Sequence, residues 1–180
     1  ATYYKVRIDG VVRDCATLIA IGVLCEDGKR IILGVSCALS EAEVHWRDFL
    51  NSIRERGIGI PDLVTSDAHT GLRAALKACL GATPWQRCQF HLQQNAQQYI
   101  TKHDLKSTVA ADIATIFNAD DRPHAEARLK SFVKAYSETQ SKLAAWAEVN
   151  LPEGFTVFNV PDAHRKKVRT SNACETLNSQ

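Results

Sequence analysis

An aspartate at the end of a short apolar run is the first residue whose type and place could support chemistry. Asp67 follows Leu63-Val64-Thr65, a run that is too short for a helix and is typical of a central strand. In open sheets, ligands bind at the carboxyl ends of strands, so a carboxylate at this place could hold a cation. The alternative is that Asp67 only caps the helix that starts near Thr70, as aspartate often does. Position alone leaves both interpretations open.

A cysteine and a histidine three residues apart, Cys88 and His91, form a second candidate site. Two such ligands are at most half of a structural zinc site, and no second Cys/His pair has a matching spacing. The alternative for His91 is a capping and packing role where a strand meets a helix. For His69, two residues after Asp67, a structural role is likewise an alternative to a role in the site. The chain's six cysteines lie far apart without a CxxC pair and are interpreted as free thiols.

Composition places the chain among ordinary packed domains. Its 180 residues fit one domain, and 45% apolar and 23% charged residues exclude disordered and fibrous classes. A net charge of +2 is too small to indicate nucleic-acid binding by itself, so any basic surface must be local. The apolar runs fall short of the roughly 18–20 residues that span a bilayer, and no signal peptide opens the chain. These features predict a cytosolic protein.

The elements that must position these residues begin with strands. Three runs joined by Asp-Gly turns predict an antiparallel meander: Tyr3–Ile8, Ala16–Leu24 and Arg30–Leu39, with turns at Asp9-Gly10 and Asp27-Gly28. In the first run, Tyr4, Val6 and Ile8 alternate with Lys5 and Arg7, which is the period-two pattern of a half-buried strand.

Helices follow the meander. Ser40 and Glu43 form a capping-box pattern that predicts the start of a first helix, and Gly57 ends it. A second helix is predicted between Gly71 and Gly81, and a further strand over residues 83–88.

The second half of the chain is predicted to be mostly helical. Residues 90–152 carry only helical periodicity. Phe155–Val160 is predicted to be a strand or an extended link. A dense basic run, with Arg165, Lys166, Lys167 and Arg169, then precedes a last helix that Thr170-Ser171-Asn172 would cap and that carries Glu175.

This order of elements predicts an α/β fold. Three antiparallel strands, a helix, and then strands alternating with helices is the order of the ribonuclease-H-like fold, in which the fourth strand pairs in parallel beside the first. The predicted organisation is a first part of the core over 1–89, an all-helical insertion over 90–152, and a return to the core over 153–180.

Three stretches resemble bacterial transposases of the Mutator-like insertion-sequence family. They are Val-Thr-Ser-Asp-Ala-His-Thr-Gly-Leu at 64–72, Trp-Gln-Arg-Cys-Gln-Phe-His at 85–91 and Arg-Thr-Ser-Asn-Ala-Cys-Glu-Thr-Leu-Asn at 169–178. The opening Ala-Thr-Tyr-Tyr-Lys-Val-Arg resembles the same family, so the likeness covers essentially the whole chain. Three separated motifs in the right order make a chance match improbable.

The resemblance implies a DDE nuclease and strand-transferase core, built on two aspartates and one glutamate. Carried onto this sequence, Asp67 is the second acid and Glu175 the third. The first acid is expected immediately upstream of Ala1, because Asp9 falls in the turn at the far end of the first strand. The isolated chain is therefore expected to be a fragment with an incomplete active site.

The same resemblance implies Mg²⁺, with Mn²⁺ as a substitute, held by Asp67 and Glu175. Two such ions about 3.5–4 Å apart activate the attacking oxygen and stabilise the leaving oxygen of a phosphodiester. Carboxylates suit Mg²⁺, a hard cation, whereas cysteines do not. Cys88 and His91 match a Cys-or-Asp/x-x/His signature of the family and are given a supporting role, as is His69.

Double-stranded DNA, at transposon ends and at the target, is the partner that the resemblance implies. The basic run at 165–169 leads into the Glu175 helix, where phosphate contacts would position DNA, although such a run is ordinarily a solvated face. Lys5 and Arg7 would add to this basic surface. Trp146 either stacks on an unpaired base or is buried between helices. A homodimer or higher assembly on DNA, associated with the nucleoid, is expected.

Two other functions stay open at the level of sequence. One is another ribonuclease-H-like nuclease, such as a junction resolvase or an exonuclease, although the long helical block argues against it. The other is an inactive or domesticated transposase fragment that acts as a DNA-binding or assembly module. A missing first acid would favour that second alternative.

Overall fold

The computed structural model describes residues 2–174 of the chain. The chain divides into two compact units. Unit 1 comprises Ala1–Val64, Ala68–Pro84 and Asn172–Gln180, and unit 2 comprises Thr65–Asp67 and Trp85–Ser171.

The sheet of unit 1 is the predicted antiparallel meander. Strands β1 (Thr2–Ile8), β2 (Val11–Val23) and β3 (Arg30–Ala38) pair in the order β1-β2-β3. The turn between β1 and β2 places both Asp9 and Gly10 at positive φ, 50° and 80°. This combination suits the twist of a tight hairpin, which explains why an Asp-Gly pair marks it in the sequence.

Helix α1 (Glu43–Glu55) packs on one face of this sheet and buries Trp46, Phe49 and Ile53. A Cβ added at Gly34 would lie 3.1 Å from the Phe49 ring, so the helix covers the face of β3 that Gly34 occupies. Gly34 pairs with Ala20 of β2, and Leu18 lies two residues from Ala20 and therefore on the same face. Leu18 is fully buried.

The period-two pattern of the first strand suggests that its apolar residues Tyr4 and Val6 are buried, and this is wrong. Tyr4 and Val6 are 47% and 40% exposed. Lys5 and Arg7, which alternate with them, lie on the face that α1 covers, because Lys5 pairs with Asp14 on the same side of β2 as Ala16. Both are nevertheless exposed. The period-two pattern identifies a strand without fixing which face a helix covers.

The capping box at Ser40 is also not formed. Helix α1 begins at Glu43, its N-cap is Ala42, and no side chain caps it. The Ser40 hydroxyl instead accepts a hydrogen bond from the Ala42 N–H at 3.3 Å. The serine thus stabilises the turn before the helix, which is the local competition that serine side chains offer.

Helix α2 (Thr70–Leu80) packs against α1 through Leu72, Ala75, Leu76 and Leu80. A Cβ at Gly71 would lie 2.3 Å from the Glu41 carbonyl oxygen, so only glycine fits where the two helices begin beside each other. The helix ends at Gly81, which has a positive φ of 60°. The predicted second helix is confirmed.

Strands β4 (Val64–Ser66) and β5 (Trp85–Arg87) form a small parallel sheet, whose residues other than Val64 belong to unit 2. Both strands match the sequence prediction. Within residues 2–174, the hydrogen-bonded sheets are β1-β2-β3 and β4-β5, so the predicted pairing of β4 beside β1 is not found. The chain is a mixed α/β protein, and the ribonuclease-H-like fold stays a prediction.

Helices make up the rest of unit 2 and enclose its core. They are α3 (Gln89–Ala96), α4 (Lys106–Phe117), α5 (Arg122–Tyr136), α6 (Ser141–Asn150) and α7 (Asp162–Val168). Short 3-10 helices lie at Gln97–Tyr99, His103–Leu105, Leu151–Gly154 and Thr156–Asn159. The core consists of their apolar faces, with Leu92, Ile113, Leu143 and Phe155 among the fully buried residues.

The prediction of a strand or extended link over Phe155–Val160 is wrong. Thr156–Asn159 is a 3-10 helix, and its hydrogen-bonding pattern brings residues three apart to the same side. Phe155 and Phe158 therefore meet, with ring centroids 5.9 Å apart, and both are buried. Most of the basic run lies within α7, and residues 172–174 after it are helical, as the sequence predicts for the start of a last helix.

Candidate active site at the end of strand β4

The carboxyl ends of β4 and β5 bring two of the sequence-predicted residues to one edge. Asp67 is the first residue after β4, and Cys88 is the first residue after β5. Parallel strands end at the same edge of a sheet, and the Cys88 N–H donates to the Ser66 carbonyl oxygen at 2.7 Å. The edge is thus held together directly beside Asp67.

Ser66 fixes the backbone that carries Asp67. Its side chain is buried and accepts a hydrogen bond from the Trp85 Nε1–H at 2.9 Å. The Ser66 hydroxyl donates to the Asp67 carbonyl oxygen at 2.7 Å. A short strand that could otherwise fray therefore ends in an anchored residue.

The capping interpretation of Asp67 is not supported. Helix α2 begins at Thr70, its N-cap residue is His69, and no side chain makes a cap hydrogen bond there. Asp67 stands two residues before the cap position and is half-buried. Its carboxylate can supply oxygen ligands to a cation, and it lies at the end of a strand, where ligands bind in open sheets.

Cys88 is the N-cap residue of α3 and is fully buried. Its Sγ accepts a hydrogen bond from the Ser171 N–H at 3.3 Å and is also hydrogen-bonded to His91. Burial by itself would raise the pKa of the Cys88 thiol, but the hydrogen bonds from His91 and Ser171 outweigh it and lower the pKa to about 7. The predicted pair of Cys88 and His91 is therefore in contact.

His91 lies in the first turn of α3, and its ring packs edge-on against Phe90, with centroids 5.6 Å apart. All six cysteines carry free thiols. Within residues 2–174, no group of three His, Cys, Asp or Glu side chains is arranged to hold a metal ion. The described residues thus supply no zinc site around Cys88.

Residues 168–171, which lead to Glu175, are hydrogen-bonded to residues at the carboxyl ends of β4 and β5. The Thr65 hydroxyl donates to the Val168 carbonyl oxygen, and the Gln89 N–H donates to the Arg169 carbonyl oxygen at 3.1 Å. The contact between Ser171 and Cys88 is the third link. Glu175 itself lies outside the described residues.

The basic residues of this segment differ in what they contact. The Arg165 guanidinium donates to the carbonyl oxygens of Val160, Asp120 and Phe158 and pairs with Asp162 at 2.7 Å. Arg165 therefore links α7 to the loops around it.

The lysines of this run are more exposed than Arg165 and Arg169, which are both half-buried. Arg169 donates to the Asn118 side chain at 2.8 Å, and Lys166 and Lys167 are exposed. In unit 1, Lys5 and Arg7 are exposed on β1. These side chains are where phosphate contacts could form.

Trp146 packs within the helical part of unit 2. Its ring stacks on Tyr99, with centroids 5.3 Å apart and an interplanar angle of 24°. Trp146 is half-buried and contacts the core of this unit. Of its two interpretations, the geometry favours packing between helices.

Sequence reasoning missed the hydroxyl residues that organise this edge. Thr65 and Ser66 lie directly before Asp67, inside the motif at 64–72. Small hydroxyl residues directly before a candidate acid were the available signal, since Ser and Thr side chains commonly hydrogen-bond to nearby backbone groups.

Comparison with known proteins identifies a family for the whole sequence. The sequence model described as "Transposase, Mutator family" matches residues 1–180. The chain belongs to the Mutator family of transposases. None of the helices of this Mutator-family chain within residues 2–174 is both long and apolar enough to cross a membrane.

Individual relatives of the Mutator-family chain are insertion-sequence transposases. It is 48% identical over 180 residues to the transposase for insertion sequence element IS406 of Burkholderia multivorans. The aligned region covers 100% of this chain and 46% of that relative. It is 34% identical to the transposase for ISRM5 of Rhizobium meliloti, covering 100% and 45%. It is 32% identical to the transposase for IS256 in transposon Tn4001 of Staphylococcus aureus, covering 99% and 45%. The chain thus spans about half the length of these relatives.

Proposed function

We propose that this chain is the catalytic core of a DDE transposase, which cleaves DNA strands at the ends of an insertion sequence and joins them to a target. Membership of the Mutator family supports the reaction class. The observation that carries the assignment of the site is the edge formed by β4 and β5. There, Asp67 follows one strand, and the segment before Glu175 is bonded to both.

Asp67 and Glu175 are the proposed ligands of Mg²⁺, for which Mn²⁺ can substitute. Mg²⁺ commonly takes one or two carboxylates together with substrate phosphate oxygens, so an aspartate at a strand end fits it. When bound, the cations make the attacking oxygen nucleophilic and stabilise the leaving oxygen of the phosphodiester. Since residues 2–174 contain no complete metal-binding group, the proposal requires Glu175 in addition to Asp67.

The reach of the chain makes this pairing feasible. Ser171 is hydrogen-bonded to Cys88, and Cys88 is hydrogen-bonded to Ser66, the residue before Asp67. Glu175 follows Ser171 by four residues, which span at most about 14 Å even when fully extended. The separation of 108 positions between the two acids is therefore no obstacle to their meeting in the folded protein.

The remaining residues of the proposed site bind and position DNA. Lys166 and Lys167 are exposed on α7 and can neutralise backbone phosphates without reading the bases. Cys88 and His91 support the edge rather than contact the reacting phosphate. Double-stranded DNA is the proposed partner, and a homodimer or higher assembly would bring two DNA ends together. The ribonuclease-H-like fold is proposed as the framework.

Strand cleavage by the protein in its full encoded length tests this function. Supercoiled plasmid carrying the element's terminal repeats is incubated with Mg²⁺ or with a chelator, and nicked product is measured for the parent, Asp67→Asn and Glu175→Gln. Both variants are expected to lose nicking by about two orders of magnitude or more, because each removes a charged oxygen ligand. DNA binding by both is expected to persist.

Asp62→Asn is the matched control. Asp62 is exposed and precedes β4, at the opposite end of the strand from Asp67, so its loss is expected to leave nicking unchanged. If Asp67→Asn or Glu175→Gln nicks as well as the parent, the proposed site is wrong. If the parent binds the terminal repeats but never nicks them, the chain serves as a DNA-binding or assembly module.

A further inference from the structure

Three hydrogen bonds join residues 168–171 to the ends of β4 and β5, and we call this set of contacts the clasp. The Thr65 hydroxyl donates to the Val168 carbonyl oxygen. The Gln89 N–H donates to the Arg169 carbonyl oxygen at 3.1 Å, and the Ser171 N–H donates to Cys88 Sγ at 3.3 Å. Only Thr65 and Cys88 contribute through their side chains, so these two positions are where the sequence specifies the clasp.

Both side chains belong to residues that also hold the Asp67 backbone. Thr65 lies in β4, two residues before Asp67. The Cys88 N–H donates to the Ser66 carbonyl oxygen at 2.7 Å while the Cys88 sulfur accepts from Ser171. A single residue thus connects the backbone next to Asp67 with the backbone that leads to Glu175.

The side chain at position 88 acts as a hydrogen-bond acceptor and does more than fill space. Cys88 is fully buried, and its sulfur is hydrogen-bonded to both His91 and Ser171. An alanine there would leave the Ser171 N–H without this acceptor, in a part of the protein where a lost hydrogen bond is costly. Thr65 is likewise half-buried, and a valine of the same shape would remove only its donor.

We propose that Thr65 and Cys88 are positioning residues that hold the segment before Glu175 in the place where its carboxylate and that of Asp67 bind the same cations. This inference rests on the proposed function. Misplacement of catalytic groups by about 1 Å can cost about 100-fold in rate, so contacts that hold a segment in place affect the reaction without touching the substrate. The clasp acts on metal binding and on the rate of the chemical step, and not on affinity for DNA.

A chemically matched control lies in the same unit. The Thr156 hydroxyl donates to the Trp85 carbonyl oxygen at 2.8 Å, which links the 3-10 helix Thr156–Asn159 to β5. Thr156→Val removes the same kind of hydrogen bond as Thr65→Val but does not touch residues 168–171. Both variants are expected to lower Tm by a few degrees, roughly 2–6 °C. Stability alone therefore does not distinguish them.

The test compares Thr65→Val, Thr65→Ser, Cys88→Ala, Thr156→Val and Asp67→Asn in the full encoded length of the protein. Mn²⁺ binding is measured by electron paramagnetic resonance of the free ion, DNA affinity by fluorescence anisotropy in chelator, and plasmid nicking as kcat and KM. Thr65→Val and Cys88→Ala are expected to weaken Mn²⁺ binding about tenfold and to lower kcat about 10–100-fold, with KM and DNA affinity within about twofold of the parent. Thr65→Ser restores both readouts, and Thr156→Val resembles the parent.

The outcomes separate this inference from the proposed function. If Asp67→Asn abolishes nicking while Thr65→Val and Cys88→Ala behave like Thr156→Val, the clasp has no positioning role and the proposed function stands. If Asp67→Asn nicks and binds Mn²⁺ like the parent, the proposed function is wrong and the inference falls with it. Should Thr65→Val not fold, Mn²⁺ binding by Cys88→Ala and by Thr65→Ser decides the question in the same way.

Discussion

At the scale of single residues, Cys88 has two opposing influences on its ionisation. Its burial favours the neutral thiol, whereas the hydrogen bonds from His91 and Ser171 favour the thiolate, and the net result is a pKa of about 7. An unperturbed cysteine has a pKa of about 8.5. The folded protein therefore holds the thiolate more favourably than the unfolded chain does.

This difference predicts a stability contribution that depends on pH. Because the folded pKa lies below the unfolded one, the contribution is fully present above pH 8.5 or so and is lost as the pH falls through about 7. The gap in free energy of unfolding between the parent and Cys88→Ala is expected to widen by about 1–3 kcal/mol from pH 6 to pH 9.

Urea denaturation of both proteins under reducing conditions measures this gap. Cys88→Ser, whose hydroxyl does not ionise in this range, is expected to show the same widening relative to the parent. A gap of equal size at pH 6 and pH 9 for both variants would mean that the thiolate is not favoured by folding.

The sequence allowed Asp67 to be predicted as a strand-end acid, because a short apolar run and the residue after it are local features. The partners of Cys88 could not be predicted in the same way. Ser171 follows Cys88 by 83 residues, and the hydrogen bond between them depends on how helices of unit 2 return the chain to β5. Local patterns carry no information about such a contact.

At the scale of elements, the start of α2 depends on a close approach. A Cβ at Gly71 would lie 2.3 Å from the Glu41 carbonyl oxygen and 3.0 Å from the Glu43 nitrogen, both backbone atoms. Backbone cannot move aside as a flexible side chain can, so Gly71→Ala must push α2 away from the start of α1. We expect this substitution to lower the free energy of unfolding by about 2 kcal/mol or more.

Gly59→Ala is the matched control for this prediction. An added Cβ at Gly59 meets nothing within 4 Å, and Gly59 is not among the glycines with a positive φ. Its replacement by alanine is expected to be neutral or to stabilise by up to about 1 kcal/mol, because the unfolded chain loses freedom. Chemical denaturation of both variants checks the pair. Equal stabilities would show that the two helices do not approach as closely as described.

Element types were predicted well where a periodic run was long enough to identify them. The three strands of the meander, α2 and the helices over 90–152 all follow from their apolar spacing. The extended prediction for Phe155–Val160 is wrong because a six-residue apolar stretch suits a strand and a buried 3-10 turn equally. Burial of Phe155 and Phe158 in the helical core decides in favour of the turn.

At the scale of the whole molecule, the family was predicted from three motifs and is shown by the match over residues 1–180. The arrangement of strands in the sheets was harder to predict from the sequence. Which strands become neighbours depends on contacts between distant parts of the chain, and the described sheets are β1-β2-β3 and β4-β5. The expected first acid, upstream of Ala1, and the third, Glu175, both lie outside the described residues, so of the expected triad only Asp67 is described.

The central claim is that Asp67 and Glu175 bind the same cations, and metal-directed cleavage of the protein tests it most directly. Fe²⁺ in place of Mg²⁺, with ascorbate and peroxide, generates radicals that cut the backbone near the ion, and mass spectrometry maps the cuts. The account predicts two clusters of cuts, around residues 65–69 and 173–177, both suppressed by excess Mg²⁺ and both lost in Asp67→Asn. Cuts in only one of these segments, or cuts that persist unchanged in Asp67→Asn, would contradict it.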